Sequence, residues 1–295
     1  PKVIGFEKIA TVTNDAEWEH AAEYFWKNVT QTRSVAFGGN SVREHFNPTN
    51  DFKSMLQSNQ GPETCNSYNM LRLSKALFLS NTDLSYIDFY ERTIYNHILS
   101  TQHPEKGGFV YFTPIRPNHY RVYSQPETSM WCCVGSGIEN HTKYGELIYS
   151  HSQNDVFVNL FIPSELNWKE KGLKLIQKNN FPDQNETELV VKLTKKQAFS
   201  LNIRYPKWAE SIRILVNGKE QSFKSGPSQY INLKRNWKDG DKITVQFTMK
   251  TKLEYLPDGS NWAAFVRGPI VLAAKTSTED LKGLFADDSR MGHET

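Results

Sequence analysis

The chain has 295 residues with a formal net charge of +3, 38% hydrophobic and 13% aromatic side chains. That length suits one large domain or two ordinary ones, and so thin and interspersed a positive charge excludes an electrostatic nucleic-acid surface. No apolar run approaches the roughly eighteen residues a bilayer span requires, and no basic, apolar leader opens the chain, so neither membrane span nor signal peptide is expected. Three cysteines, two of them adjacent, do not make a disulfide framework.

The first half carries helical periodicity, beginning directly after Pro1. In "NDAEWEHAAEYFWKNV" Asn14 and Glu17 have capping-box spacing, and Trp18, Ala21, Phe25 and Val29 recur on one face. A loop rich in Gly, Pro and Asn follows over 38–62. "ETCNSYNMLRLSKALFL" repeats the helical pattern through Met70, Leu73 and Leu77, and "DLSYIDFYERTIYNHIL" through Ile87, Ile94 and Ile98. A second loop spans 103–135, with a hairpin expected around "GGFVYFTP". "SGIENHTKYGELIY" then predicts a helix opening with Ser136 and Glu139, again at capping-box spacing, and running through Ile148. From Asn154 the period changes to short β-branched runs, punctuated by Asn217-Gly218 and Asp239-Gly240, which predicts an antiparallel β-sandwich. The expected domains are therefore 1–150, helical, and 151–295, the sandwich, with a polar tail after Thr276.

Two clusters in the helical half carry chemistry. "GPETC" holds Glu63 and Cys65, and "SMWCCVGSG" holds Cys132 and Cys133. Both lie at predicted helix starts, where unpaired N–H groups and the helix dipole favour thiolates. Three thiolates and one carboxylate would suit tetrahedral zinc, although the wide spacing is unlike that of zinc fingers. Two plainer readings stay open on the residues alone. Cys65 is a buried small hydrophobe beside an accidental pair, or Glu63 is simply a helix cap. Glu44 in "GGNSVREHF" is a loop carboxylate flanked by Arg43 and His45, which bear on its proton affinity.

Taken in order, "GGNSVREHF", "GPETCNSYNMLRLSKALF", "YERTIYNHILSTQHPEKGGFVYFTP" and "SMWCCVGSGIENHTKYGELIY" resemble the zinc-dependent β-L-arabinofuranosidases of glycoside hydrolase family 127 and its relative family 146. The resemblance runs over roughly residues 1–275. It implies an (α/α)6 barrel followed by a β-sandwich, and a retaining glycosidase acting on arabinose-containing glycans of plant type. By motif it makes Glu63, Cys65, Cys132 and Cys133 zinc ligands, Cys132 the nucleophile, and Glu44 the acid/base. It also sets Tyr111 and, with it, His45 in the sugar pocket.

The periodicity marks about five helices before the sandwich, too few to close such a barrel. Residues 1–150 are therefore expected to be the C-terminal part of such a barrel, its N-terminal part lying in further polypeptide or being replaced by an oligomeric partner, unless the chain is an unusually short relative. Two other classes compete with the enzyme: a non-catalytic carbohydrate-binding or scaffold protein with a structural zinc site, and a redox protein using vicinal thiols. The glycan and its linkage are left open, as is the compartment: periplasmic or secreted for a glycan-degrading bacterial enzyme.

Overall fold

The protein is described by a computed structural model over residues 1–116 and 119–275; the tail after Thr276 lies outside the described residues. Contacts divide the chain into two compact units. One comprises Pro1–Lys143, Lys252–Val266 and the described residues from 270 on; the other comprises Tyr144–Thr251 and Arg267–Pro269. Against a boundary expected near Ser150, the chain passes between units after Lys143, and residues 252–266 return to the helical unit.

The helical unit contains α1 (Lys2–Thr13), α2 (Ala16–Thr32), α3 (Lys53–Gln57), α4 (Thr64–Asn81), α5 (Ser85–Thr93) and α6 (Cys132–Thr142). Asn14 does not cap α2 as its spacing predicts. It closes α1 in the left-handed region at φ 56°, and Asp15 becomes the N-cap, its carboxylate accepting from the Glu17 N–H at 2.9 Å. The buried stripe of α2 is Ala22, Trp26 and Val29, so Trp18 is left partly exposed. Trp26 decides that rotation: its indole N–H donates to Ser74 Oγ at 2.7 Å and its ring meets Tyr86 edge-on at 4.6 Å.

On α4, Met70, Leu73 and Leu77 are buried as their spacing predicts. The helix expected through Ile87, Ile94 and Ile98 is not uniform. α5 ends at Thr93, a π-helical turn occupies Ile94–Ile98, and a 3₁₀ turn closes it at Leu99–Thr101. The π turn buries Ile94, His97 and Ile98 together. Around "GGFVYFTP" the pairing is reduced to isolated antiparallel bridges, Gln102 with Phe109 and Val110 with Tyr123, about a turn that carries Gly107 at φ 78°.

The second unit is the antiparallel-rich β part. One sheet runs β1 (Tyr149–His151), β2 (Val156–Val158), β6 (Gln197–Tyr205), β9 (Gln229–Trp237). The other runs β3 (Ser164–Trp168), β4 (Leu173–Asn179), β5 (Glu186–Leu193), β10 (Lys242–Thr248), β7 (Ser211–Val216), β8 (Lys219–Glu220). Among these pairs β2 and β6 are parallel, a departure from the all-antiparallel expectation. The β7–β8 hairpin turns through Asn217 and Gly218, both at positive φ, the geometry that favours Asn-Gly in two-residue turns. Strand β4 alternates buried and partly buried residues, although "LKLIQKN" follows a Lys-rich turn and contains few β-branched residues. A three-stranded sheet, β11 (Thr251–Tyr255), β12 (Ala263–Arg267) and β13 (Ile270–Val271), completes the described chain. It is tied to the helical unit by Arg92–Glu254 at 3.1 Å and by the Val271 N–H donating to Asn96 Oδ1 at 2.7 Å.

Candidate metal centre and active site

Two helices begin at the same place. Glu63 is the N-cap of α4 and Cys65 lies in its first turn; Trp131 is the N-cap of α6, which opens on Cys132 and Cys133. The expected capping box at Ser136 is not used. α6 starts four positions earlier, and Ser136 Oγ instead lies 3.1 Å from Cys65 Sγ, inside the cluster. Ser136 is thus a site residue that its capping-box spacing disguised; its position one turn after Cys132 on a helix was the signal that could have found it. The helix also stops at Thr142, short of the expected Ile148.

Cys133 is wholly buried, its Sγ 3.2 Å from Cys65 Sγ and 3.9 Å from Glu63 Oε1. Cys65 is half-buried and Cys132 exposed. One donor atom from each of Glu63, Cys65, Cys132 and Cys133 lies within 4.8 Å of all the others. The four residues singled out as ligands therefore meet, although the Glu63/Cys65 pair and the adjacent cysteines lie 67 positions apart in the sequence.

The electrostatics of this cluster suit a cation. Burial, then the neighbouring Cys132 sulfur, pushes the Glu63 carboxyl up to about 7. Burial pushes the Cys133 thiol up as well. Cys132 goes the other way, down to about 5, chiefly because hydrogen bonding from Cys133 favours its thiolate. Several acidic groups compete here for few negative charges, while both helix N-termini present positive dipole ends. A divalent cation among the four donors would relieve the crowding and hold them all ionised, and soft thiolates with one carboxylate are a donor set that zinc accepts. The residues present fit such an ion.

A third segment fixes the remaining side chains. The chain at 110–113 runs antiparallel to 62–64: the Thr64 N–H donates to the Tyr111 carbonyl at 2.9 Å, Thr64 Oγ1 to the Val110 carbonyl at 2.6 Å, and the Thr113 N–H to the Pro62 carbonyl at 2.8 Å. Tyr111 is thereby held over the cysteines. Its hydroxyl donates to the Glu44 carboxylate and lies 3.7 Å from Cys132 Sγ. Burial is the main reason its phenol is pushed well above the ordinary range. The Trp131 ring meets Tyr111 edge-on at 5.8 Å.

Glu44 itself is exposed, in a loop where Ser41, Arg43 and Glu44 all adopt positive φ, 75°, 51° and 68°. Left-handed backbone at three non-glycine residues so close together is strained, by about 1–3 kcal/mol each, and such strain concentrates at functional sites. His45 is exposed beside it, with Nδ1 2.7 Å from the Arg43 carbonyl. It shapes the loop through that hydrogen bond.

Gly61 shows how tightly the third segment is held. A Cβ there would stand 2.5 Å from the Thr113 carbonyl oxygen and 2.8 Å from Pro114 Cα. Gly61→Ala must therefore part the two backbones, and is expected to cost about 1–3 kcal/mol, read as a fall in Tm of a few degrees. An unchanged Tm would mean that this pairing yields freely.

Residues 1–146 match the family described as the β-L-arabinofuranosidase GH127 catalytic domain, and residues 155–249 its GH127 middle domain. Residues 252–295 match a domain of unknown function. Among solved structures, a GH127 β-L-arabinofuranosidase from Geobacillus stearothermophilus T6 superposes with a TM-score of 0.75 at 21% identity, over 91% of this chain and 45% of that one. A GH127 β-arabinofuranosidase gives 0.75 at 23% identity, over 92% and 46%. A protein described as a glycoside hydrolase gives 0.74 at 20% identity, over 91% and 50%. At these identities the likeness is one of fold, and the chain spans about half the length of the structures it matches. No curated protein sequence matches it.

Proposed function

Since this chain belongs to the GH127 β-L-arabinofuranosidase family, we propose that it forms the reacting part of a retaining glycosidase that releases β-L-arabinofuranose from arabinose-containing glycans of plant type. Cys132 is the nucleophile and Glu44 the acid/base. Glu63, Cys65, Cys132 and Cys133 would hold a zinc ion, which when bound keeps the thiols ionised at neutral pH without a general base. The observation that carries the reading is the Tyr111 hydroxyl, which reaches both the Glu44 carboxylate and Cys132 Sγ. A thiolate and a carboxyl group in reach of one hydroxyl stand near each other, as the reaction requires of the two groups that flank the scissile bond in a retaining glycosidase, where two carboxylates lie about 5 Å apart.

In the first step Cys132 Sγ bonds to the anomeric carbon while that carbon's bond to the glycosidic oxygen breaks, and the Glu44 carboxyl gives its proton to the leaving oxygen. In the second, Glu44, now a carboxylate, takes a proton from water as the water oxygen bonds to the same carbon and the carbon–sulfur bond breaks. Two displacements restore the configuration, and Cys132 and Glu44 return to their starting states. Tyr111, at the meeting point of the two groups, orients both. The exposed position of Cys132, against the burial of Cys133, favours this reading over a closed structural metal site, where every sulfur would be a permanent ligand.

The test pairs metal analysis with covalent trapping. The purified full chain is expected to carry about one zinc per chain, and a cysteine-reactive arabinofuranose mimic is expected to leave its adduct on Cys132, located by tandem mass spectrometry. An adduct on another residue, or none in zinc-loaded protein, would remove Cys132 from the reaction. Glu44→Gln is expected to lower turnover of p-nitrophenyl β-L-arabinofuranoside by about 10²–10⁴-fold with metal content unchanged, and wild-type turnover in that variant would exclude Glu44 as the acid/base.

A further inference from the structure

We infer that His97 is a positioning residue which registers the three segments carrying Cys65, Tyr111 and Glu44 against one another. His97 is wholly buried within the π-helical turn Ile94–Ile98. Its Nδ1 lies 2.8 Å from Ser67 Oγ and its Nε2 3.1 Å from Thr113 Oγ1, while its ring meets Phe37 edge-on at 5.1 Å. Each of these contacts leads to a different carrier of the site. Ser67 is two residues beyond Cys65 on α4, and its N–H donates to the Glu63 carbonyl at 3.3 Å. Thr113 is two residues beyond Tyr111, and its N–H holds the Pro62 carbonyl. Phe37 precedes the Gly-Gly turn of the Glu44 loop; a Cβ added at Gly39 would overlap both Phe37 and Pro62, at 2.3 and 2.7 Å.

The chemistry of the ring suits this task. A neutral imidazole donates through one nitrogen and accepts through the other, and the two hydroxyls can supply whichever role is left. Burial, then the charge of Arg121, holds His97 well below its ordinary range, down to about 3, so it stays neutral at working pH. The π turn accounts for how one helix brings such a ring to the junction: a residue inserted in the turn resets which side chains face inward after Thr93. Removing the ring nitrogens would leave two buried hydroxyls to find other partners. Thr113 would shift first, and Tyr111 with it.

The catalytic consequence rests on the reading of Cys132 and Glu44 given above, so the test uses a readout that does not. Carbamidomethylation of Cys132 by iodoacetamide in the metal-loaded full chain, followed by tandem mass spectrometry, reports the sulfur's surroundings. His97→Phe keeps a ring without its hydrogen bonds. It is expected to retain metal and to change the alkylation rate at least roughly fivefold, in the same direction as Tyr111→Phe, with no further change in the double variant. His97→Gln, which keeps a donor and an acceptor, is expected to restore much of the wild-type rate. Should His97→Phe fail to fold, Thr113→Val removes one hydrogen bond and leaves the imidazole in place, and the same direction of change is expected. A folded His97→Phe or Thr113→Val whose rate stays within about twofold of wild type, or effects that multiply with that of Tyr111→Phe, would overturn the inference. A wild-type chain that alkylates as described but turns over no arabinofuranoside would instead count against the proposed function and leave the role of His97 standing.

Discussion

Cys132→Ser is expected to lower turnover of p-nitrophenyl β-L-arabinofuranoside by at least roughly a thousandfold. A serine hydroxyl has nearly the size of the thiol and occupies the same first position of α6, so the fold has little reason to change. What is lost is an easily ionised sulfur. Cys132 is held down to about 5 by hydrogen bonding from Cys133, with Tyr111 adding to the effect, whereas a serine at the same point stays protonated and carries a far poorer nucleophile. Substrate affinity should change much less than kcat, because the group acts on the reacting carbon and not on the rest of the glycan. A variant that keeps its turnover within about tenfold of wild type would assign the nucleophile elsewhere.

Cys133→Ser is expected to fail differently, by releasing the metal. Its sulfur is the buried centre of the cluster, in reach of Cys65, Glu63 and the Tyr111 carbonyl. Even outer-shell partners of a metal are worth about 10–100-fold in affinity, so loss of a direct sulfur ligand should exceed a hundredfold. Elemental analysis after gel filtration is expected to find substoichiometric zinc, accompanied by a lower Tm. Stoichiometric metal with an unchanged Tm would contradict the ligand role of Cys133. The two variants together separate the adjacent sulfurs: one loses chemistry first, the other loses the ion first.

That Glu63, Cys65, Cys132 and Cys133 form one cluster was legible only in part: all three cysteines fall at helix starts, where an anion is favoured before any tertiary contact is known, but the residues alone left plainer readings open and it was the motif resemblance that singled out the four together. The sandwich was readable for the same kind of local reason: alternation along β7 and β10, and turn dipeptides such as Asn217-Gly218. What escaped was decided by packing. Asn14 and Ser136 both satisfied a capping-box spacing, but Asn14 was taken by the end of α1 and Ser136 by Cys65, so each cap went unused. The stripe of α2 turned toward Trp26 because Ser74 and Tyr86, from other helices, receive the indole. His97 read as one more position in a regular helix; only the π turn brings it against Ser67 and Thr113. The return of 252–266 to the helical unit has no local signal, since a strand's sequence does not say which body it will join.

The joining of α4 and α6 at their first turns has a mechanical side. The 67 positions from Cys65 to Cys132 form a long loop, and a cation held by both ends, as proposed above, would act as a detachable rivet. Tethering so long a loop removes freedom from the disordered chain equivalent to about 4 kcal/mol, and a chelator hands that freedom back. Heat resistance of this protein should therefore track the supply of free metal in its surroundings.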